Sequence, residues 1–197
     1  MMIVGLTGSI GMGKSTASAL LRRMNIPVHC SDEAVHDLLG TKGAAVPFVA
    51  EEFPESYQSK TKSIDRGVLG KIIFGDKEKR EILESIVHPL VVDSQKNFLR
   101  QQRQKGAKLV VLDIPLLFET GAENRVDCTI VVTAPAFIQE QRVMARAGMS
   151  AEKFAAIKNT QMPDYEKRRR ADFIVQTGIG LVHTRKSLQE IISILKG

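Results

Sequence analysis

The sequence predicts an α/β protein built on a doubly wound parallel sheet. Short, continuously aliphatic runs recur along the chain, at 2–7, 27–30, 108–113, 128–133 and 172–177. Their lack of polar alternation suits parallel strands covered on both faces. Segments with helical spacing stand between them, and alternation of strand and helix implies right-handed crossovers. Hydrophobic residues make up 43% of the chain and aromatics only 5%, with no Trp, so aliphatic side chains build the core.

Each element has its own signal. MIVGLT, 2–7, reads as a buried strand stopped by Gly8, and Lys14 to Met24 as a helix. PVHC, 27–30, is a second strand. Ser31 is placed to cap a helix over about 32–39 that ends at Gly40. Residues 41–62 are polar and irregular apart from a short helix over 44–53. Asp65 to Phe74 predicts a helix ending at Gly75, and Lys77 to Val87 another, with apolar residues at 82, 83, 86 and 87. Pro89 disfavours the α conformation at His88. A break is therefore expected there, followed by a separate helix over about 90–105 that ends at Gly106. KLVVLD, 108–113, and CTIVVT, 128–133, are buried strands. Pro135 to Ala147 reads as a helix closed by Gly148, Ser150 as the cap of the next, DFIVQT at 172–177 as the last strand and Leu181 to Lys196 as the last helix.

The 197 residues suit one domain with a small inserted subdomain. No apolar run approaches the roughly 18–20 residues of a membrane span, and no signal peptide is recognised, so a cytoplasmic protein without a membrane partner is expected. Cys30 and Cys128 read as buried free thiols, and no zinc-ligand spacing occurs. The net charge of +6 is unevenly placed. Residues 142–170 hold eight basic side chains against three acidic ones, whereas residues 1–141 balance. Something anionic is expected to visit that segment.

The most specific motif is GSIGMGKST, Gly8 to Thr16. It matches G-x-x-x-x-G-K-[ST] without a gap, behind a strand and opening a helix. Glycines let the backbone turn and aim N–H groups at one point, and the helix N-terminus adds partial positive charge. Gly8, Gly11, Met12, Gly13, Lys14, Ser15 and Thr16 are therefore candidate ATP-binding residues of a P-loop fold. Lys14 is placed to reach the β- and γ-phosphates, and the Ser15 hydroxyl to ligate Mg²⁺. At Met12 the backbone, more than the side chain, is expected to matter. No N-K-x-D occurs, which argues against a GTPase switch, so a small-molecule kinase is the economical reading. Two carboxylates stand at strand ends: Asp32 after PVHC, and Asp113 closing KLVVLD, the second candidate metal ligand. Both also have plain structural readings, Asp32 in a helix first turn and Asp113 in a turn into Pro115.

Taken in order, GLTGSIGMGKST at 5–16, PVHCSDEAVHDLL at 27–39, LESIVHPLV at 83–91, LDIPLLFETG at 112–121, QRVMARAG at 141–148 and NTQMPDYEKRRRADFIVQTG at 159–178 resemble the dephospho-coenzyme A kinase family. The resemblance covers nearly the whole chain. It implies a five-stranded parallel P-loop kinase core with a helical coenzyme-A-binding subdomain and a lid. The core is expected at 1–40, 106–135 and 171–197, the helical acceptor-binding subdomain at 41–105, and the lid with the basic segment at 136–170. The implied reaction is ATP-dependent phosphorylation of the ribose 3′-hydroxyl of dephospho-CoA, giving CoA and ADP. In this reading Asp32 faces the accepting hydroxyl and takes its proton. His88, Pro89 and the loop of Pro115, Leu116, Leu117, Phe118 and Glu119 shape the acceptor site. Arg142 and Arg146, sharing a helix face, close over the phosphates. ATP and an acceptor carrying a pyrophosphate give the basic segment its target, while single members of the run Lys167 to Arg170 are expected to be solvated at a helix end.

The chain departs from the family pattern at Cys30, where a carboxylate is common, and at Thr177, where Asn is common; contacts near the adenine are expected to change at the latter. Kinases of a nucleoside monophosphate or of shikimate, and a nucleic-acid-binding ATPase using the basic run, are the competing readings. The basic residues are confined to one segment without a nucleic-acid motif, so no nucleic-acid partner is expected. Nothing in the sequence fixes the oligomeric state, and a monomer is the simpler expectation.

Overall fold

The computed structural model describes residues 1–196. Its strands are β1 (Met2–Thr7), β2 (Val28–Cys30), β3 (Tyr57–Gln58), β4 (Ser63–Ile64), β5 (Leu109–Asp113), β6 (Cys128–Thr133) and β7 (Phe173–Gln176). Its helices are α1 (Lys14–Arg23), α2 (Ser31–Leu39), α3 (Val46–Glu52), α4 (Arg66–Ile73), α5 (Lys77–Gln104), α6 (Ala136–Met144), α7 (Ala151–Asn159), α8 (Asp164–Arg170) and α9 (Leu181–Lys196). The chain divides into two compact units: Met1–Cys30 with the chain from Gln101 onward, and Ser31–Arg100.

The first unit is built on a five-stranded sheet in the order β2-β5-β1-β6-β7. Every pair in it is parallel. β5 and β6 bury every residue, as their unbroken aliphatic sequences require. Leu6, Ile130, Val132 and Val175 form its core with Leu20 and Leu21 of α1 and Leu188 and Ile192 of α9. β1 lies between β5 and β6, so the strand order changes direction there. In open α/β sheets ligands bind outside the carboxyl ends of strands at such a switch, and the glycine loop leaves β1 at that end.

The second unit packs Leu39, Val46, Val49, Phe53, Ile64 and Leu69 into a core of its own. Asp65 caps α4, its carboxylate accepting from the N–H groups of Gly67 and Val68. A two-residue antiparallel hairpin, β3–β4, lies within 41–64 and carries no signal in the sequence. The sequence division put 31–40 with the sheet; α2 instead lends Val35, Leu38 and Leu39 to this helical core.

The break expected at Pro89 does not occur. α5 runs unbroken for 28 residues with Pro89 inside it. Proline removes only its own N–H, and both Pro89 and Ser85 are exposed, so water can take the freed carbonyl. Ile82, Leu83, Ile86 and Leu90 pack on one core and carry the helix across.

Candidate active site

The loop after β1 is shaped by its glycines. Gly11 and Gly13 have φ of +78° and +87°, a region L-residues rarely adopt. Space is also lacking: a Cβ on Gly11 would lie 2.6 Å from Val143 Cγ2, and one on Gly13 2.8 Å from Thr177 Oγ1. Gly13 then leads into α1, whose first N–H groups have no intrahelical partner and form an anion cradle. Ser15 and Thr16 stand exposed in that first turn.

Lys14 opens α1 and Asp113 closes β5, and the topology brings them together. Lys14 Nζ lies 2.5 Å from Asp113 Oδ1, and the carboxylate side chain is only 2% exposed. This places the two predicted charges of the donor side in one site. Among the described residues no cluster of three or more His, Cys, Asp or Glu is placed to hold a metal ion. A Mg²⁺ carried by nucleotide phosphates needs only one or two protein oxygens, and the Ser15 hydroxyl and Asp113 carboxylate are hard donors that fit that demand.

The side chain of Met12 is also engaged. It is 3% exposed, and its Sδ accepts from the N–H of Ala134 at 3.1 Å. That N–H lies just past the end of β6 and needs an acceptor. Thr177 is likewise buried. Its hydroxyl donates to the Met12 carbonyl at 2.8 Å and receives Arg142 Nη1 at 2.9 Å. Arg142 Nη2 donates to the Thr177 carbonyl at 2.8 Å, while Nη1 lies 3.4 Å from the Gly11 carbonyl. The threonine at this position thus joins the loop to Arg142.

Arg146 does not share a helix face with Arg142. α6 ends at Met144, and Arg146 lies exposed in the following turn, its N–H donating to the Val143 carbonyl. Gly148, with φ of +73°, closes this turn and not the helix.

The turn after β5 carries the predicted acceptor loop. Leu117 is fully buried and Phe118 is 5% exposed, so both anchor the loop from inside. Pro115 and Leu116 are half-buried, and the Pro115 carbonyl accepts from the Thr7 hydroxyl at 3.0 Å. Glu119 Oε1 accepts from the Met162 N–H at 2.8 Å. Lys167 Nζ also lies 2.8 Å from Glu119 Oε1, as an ion pair outside hydrogen-bonding geometry. Lys167 is wholly buried, which overturns the expectation of a solvated run at this residue; Arg168, Arg169 and Arg170 are exposed. Asp32, in the first turn of α2, and His88 and Pro89, on α5, all belong to the helical unit and are exposed.

Two glutamines escaped the sequence reading. Gln139 Nε2 donates to the Ile10 carbonyl at 2.8 Å, and Gln161 Oε1 accepts from the Ile10 N–H at 2.9 Å. A cavity of about 560 Å³ flanks the loop, lined among others by Met12, Thr133, Gln139, Asp164 and Arg168, a size usual for ligand pockets.

A family model described as dephospho-CoA kinase matches residues 2–182. A dephospho-CoA kinase of Mesorhizobium japonicum is 50% identical over 197 residues, covering 100% of this chain and 98% of that protein. A solved structure from Thermus thermophilus is similar with a TM-score of 0.82 at 36% identity, covering 100% of this chain and 98% of the other. The dephospho-CoA kinase of Campylobacter jejuni is similar with a TM-score of 0.68 at 25% identity, covering 99% and 98%.

Proposed function

The chain belongs to the dephospho-CoA kinase family, and from this premise we infer how its residues carry the reaction. It is an ATP-dependent kinase that phosphorylates dephospho-CoA in coenzyme A biosynthesis. We assign the ribose 3′-hydroxyl as the acceptor, with CoA and ADP as products.

Phosphoryl transfer leaves a protein little covalent chemistry, so positioning and charge dominate. The glycine loop and the first turn of α1 cradle the ATP phosphates. Lys14, which stands beside Asp113, supplies its ammonium to the β- and γ-phosphates. Arg142 is moored to Thr177 and adds positive charge beside the loop. Asp32 orients the 3′-hydroxyl and accepts its proton. His88, Pro89 and the 115–119 loop shape the acceptor site. Kinases of this fold work with ATP and a divalent metal, here assigned as Mg²⁺ with Ser15 and Asp113 as its protein ligands; when bound it supplies neutralisation of phosphate charge.

The Lys14–Asp113 pair behind a full P-loop is the observation that carries this reading on the donor side. The test is ADP release with Mg-ATP, comparing dephospho-CoA, AMP, adenosine and shikimate as acceptors. Release only with dephospho-CoA, with CoA formed in equal amount, is expected. Release with another acceptor would discard the substrate assignment.

A further inference from the structure

We propose that Gln161 is a positioning residue: with the peptide N–H of Met162 it fixes the phosphate loop and the 115–119 loop in one register. The proposal rests on the reading above, in which the first loop serves ATP and the second the acceptor.

The two residues sit in the short link between α7 and α8 and reach opposite ways. Gln161 Oε1 takes the Ile10 N–H at 2.9 Å. One residue later, the Met162 N–H goes to Glu119 Oε1 at 2.8 Å. Loop 8–13 and loop 115–119 are thus tied to adjacent residues of one strut. Each end is secured by a buried group. On the phosphate-loop side, the 3%-exposed Gln139 takes the Ile10 carbonyl, so both polar groups of that residue are held by side chains. On the acceptor-loop side, the fully buried Lys167 ammonium lies 2.8 Å from Glu119 Oε1. A buried ammonium needs its counter-charge, so Lys167 keeps the Glu119 carboxylate in place to receive the Met162 N–H. The α7–α8 link is itself set by the Gln161 N–H bonding back to the Lys158 carbonyl at 3.2 Å.

A strut of this kind acts on alignment more than on affinity. Each loop keeps its own binding groups when the strut is lost, but the donor and acceptor lose their mutual register. Small misplacements of reacting groups cost rate steeply.

The test replaces Gln161 by Leu, similar in size and without an acceptor, and by Glu, which keeps an acceptor oxygen. Gln161→Leu is expected to lower kcat by about 10- to 100-fold. KM for ATP and for dephospho-CoA should stay within about threefold. Gln161→Glu should recover most of the loss. In the unliganded protein, amide exchange followed by NMR should quicken at Ile10 in Gln161→Leu, remain slow in Gln161→Glu, and be unchanged in β1. Unchanged kcat, unchanged Ile10 exchange, or a rise in the KM for ATP with kcat intact would each overturn the proposal. If Gln161→Leu does not fold, Gln161→Asn withdraws the oxygen without added bulk and carries the same expectations. The exchange measurement needs no substrate. A wild-type protein inactive on dephospho-CoA would therefore refute the functional reading separately, leaving the Ile10 result to judge the clamp.

Discussion

Asp32 carries the heaviest assignment of any single side chain. It is exposed in the first turn of α2, where a carboxylate also favours the helix dipole. Replacement tells the two roles apart. Asp32→Asn should lower turnover by about 10²- to 10⁴-fold if the carboxylate accepts the proton. Turnover near the wild-type rate would leave it as a helix-end residue only. Cys128 makes a different prediction. Burial, with Asp172 and Asp127 adding to it, pushes its thiol from 9.0 up to about 11. Below that pH the folded protein holds the unreactive thiol. Alkylation of Cys128 at pH 8 should be slow in the folded state and fast in denaturant, followed by mass spectrometry; equal rates would contradict the burial argument. The sign for stability follows. The unfolded chain releases this proton near 9.0 and the folded chain near 11, so rising pH through that window favours unfolding.

Helices and strands with a periodic or unbroken apolar pattern were legible in the sequence, because burial alone dictates that pattern. CTIVVT became β6 with the boundaries read from it, and Leu181 to Lys196 became α9. Elements set by tertiary packing were not legible. The break at Pro89 was a local inference that the apolar stripe of α5 overrode. Helix α8 was legible only as a helix end at Lys167 to Arg170, because DYEKRRR has no apolar period, and the burial of Lys167 within it was not legible. Its burial follows from Glu119, 48 positions earlier in the chain, which no local window can see. The same distance hid Gln139 and Gln161: a lone glutamine carries no motif, and its meaning comes from the Ile10 peptide it meets. The proximity of Lys14 and Asp113 follows from their places at the start of α1 and the end of β5, which the sequence does show. Pro89 also yields a prediction at this scale. It sits exposed in an unbroken helix, so Pro89→Ala should raise stability by about 1–3 kcal/mol, read from the urea midpoint. A drop in stability would mean that the proline is required by its surroundings.

At the scale of the whole molecule, the chain forms two compact units. The sheet unit holds the glycine loop, Lys14, Asp113, Arg142 and the 115–119 loop; the helical unit holds Asp32, His88 and Pro89. Among the described residues no helix is long and apolar enough to cross a membrane. The basic excess at 142–170 lies in the same unit as the phosphate loop and suits two anionic substrates. The most direct measurement follows the transferred group itself. ATP labelled in the γ-phosphoryl is incubated with the enzyme and dephospho-CoA, and the product is analysed for the position of the label. The account predicts one labelled phosphate per acceptor, on the ribose 3′-oxygen, formed in step with ADP. Label released as inorganic phosphate, or placed on another oxygen, would contradict it.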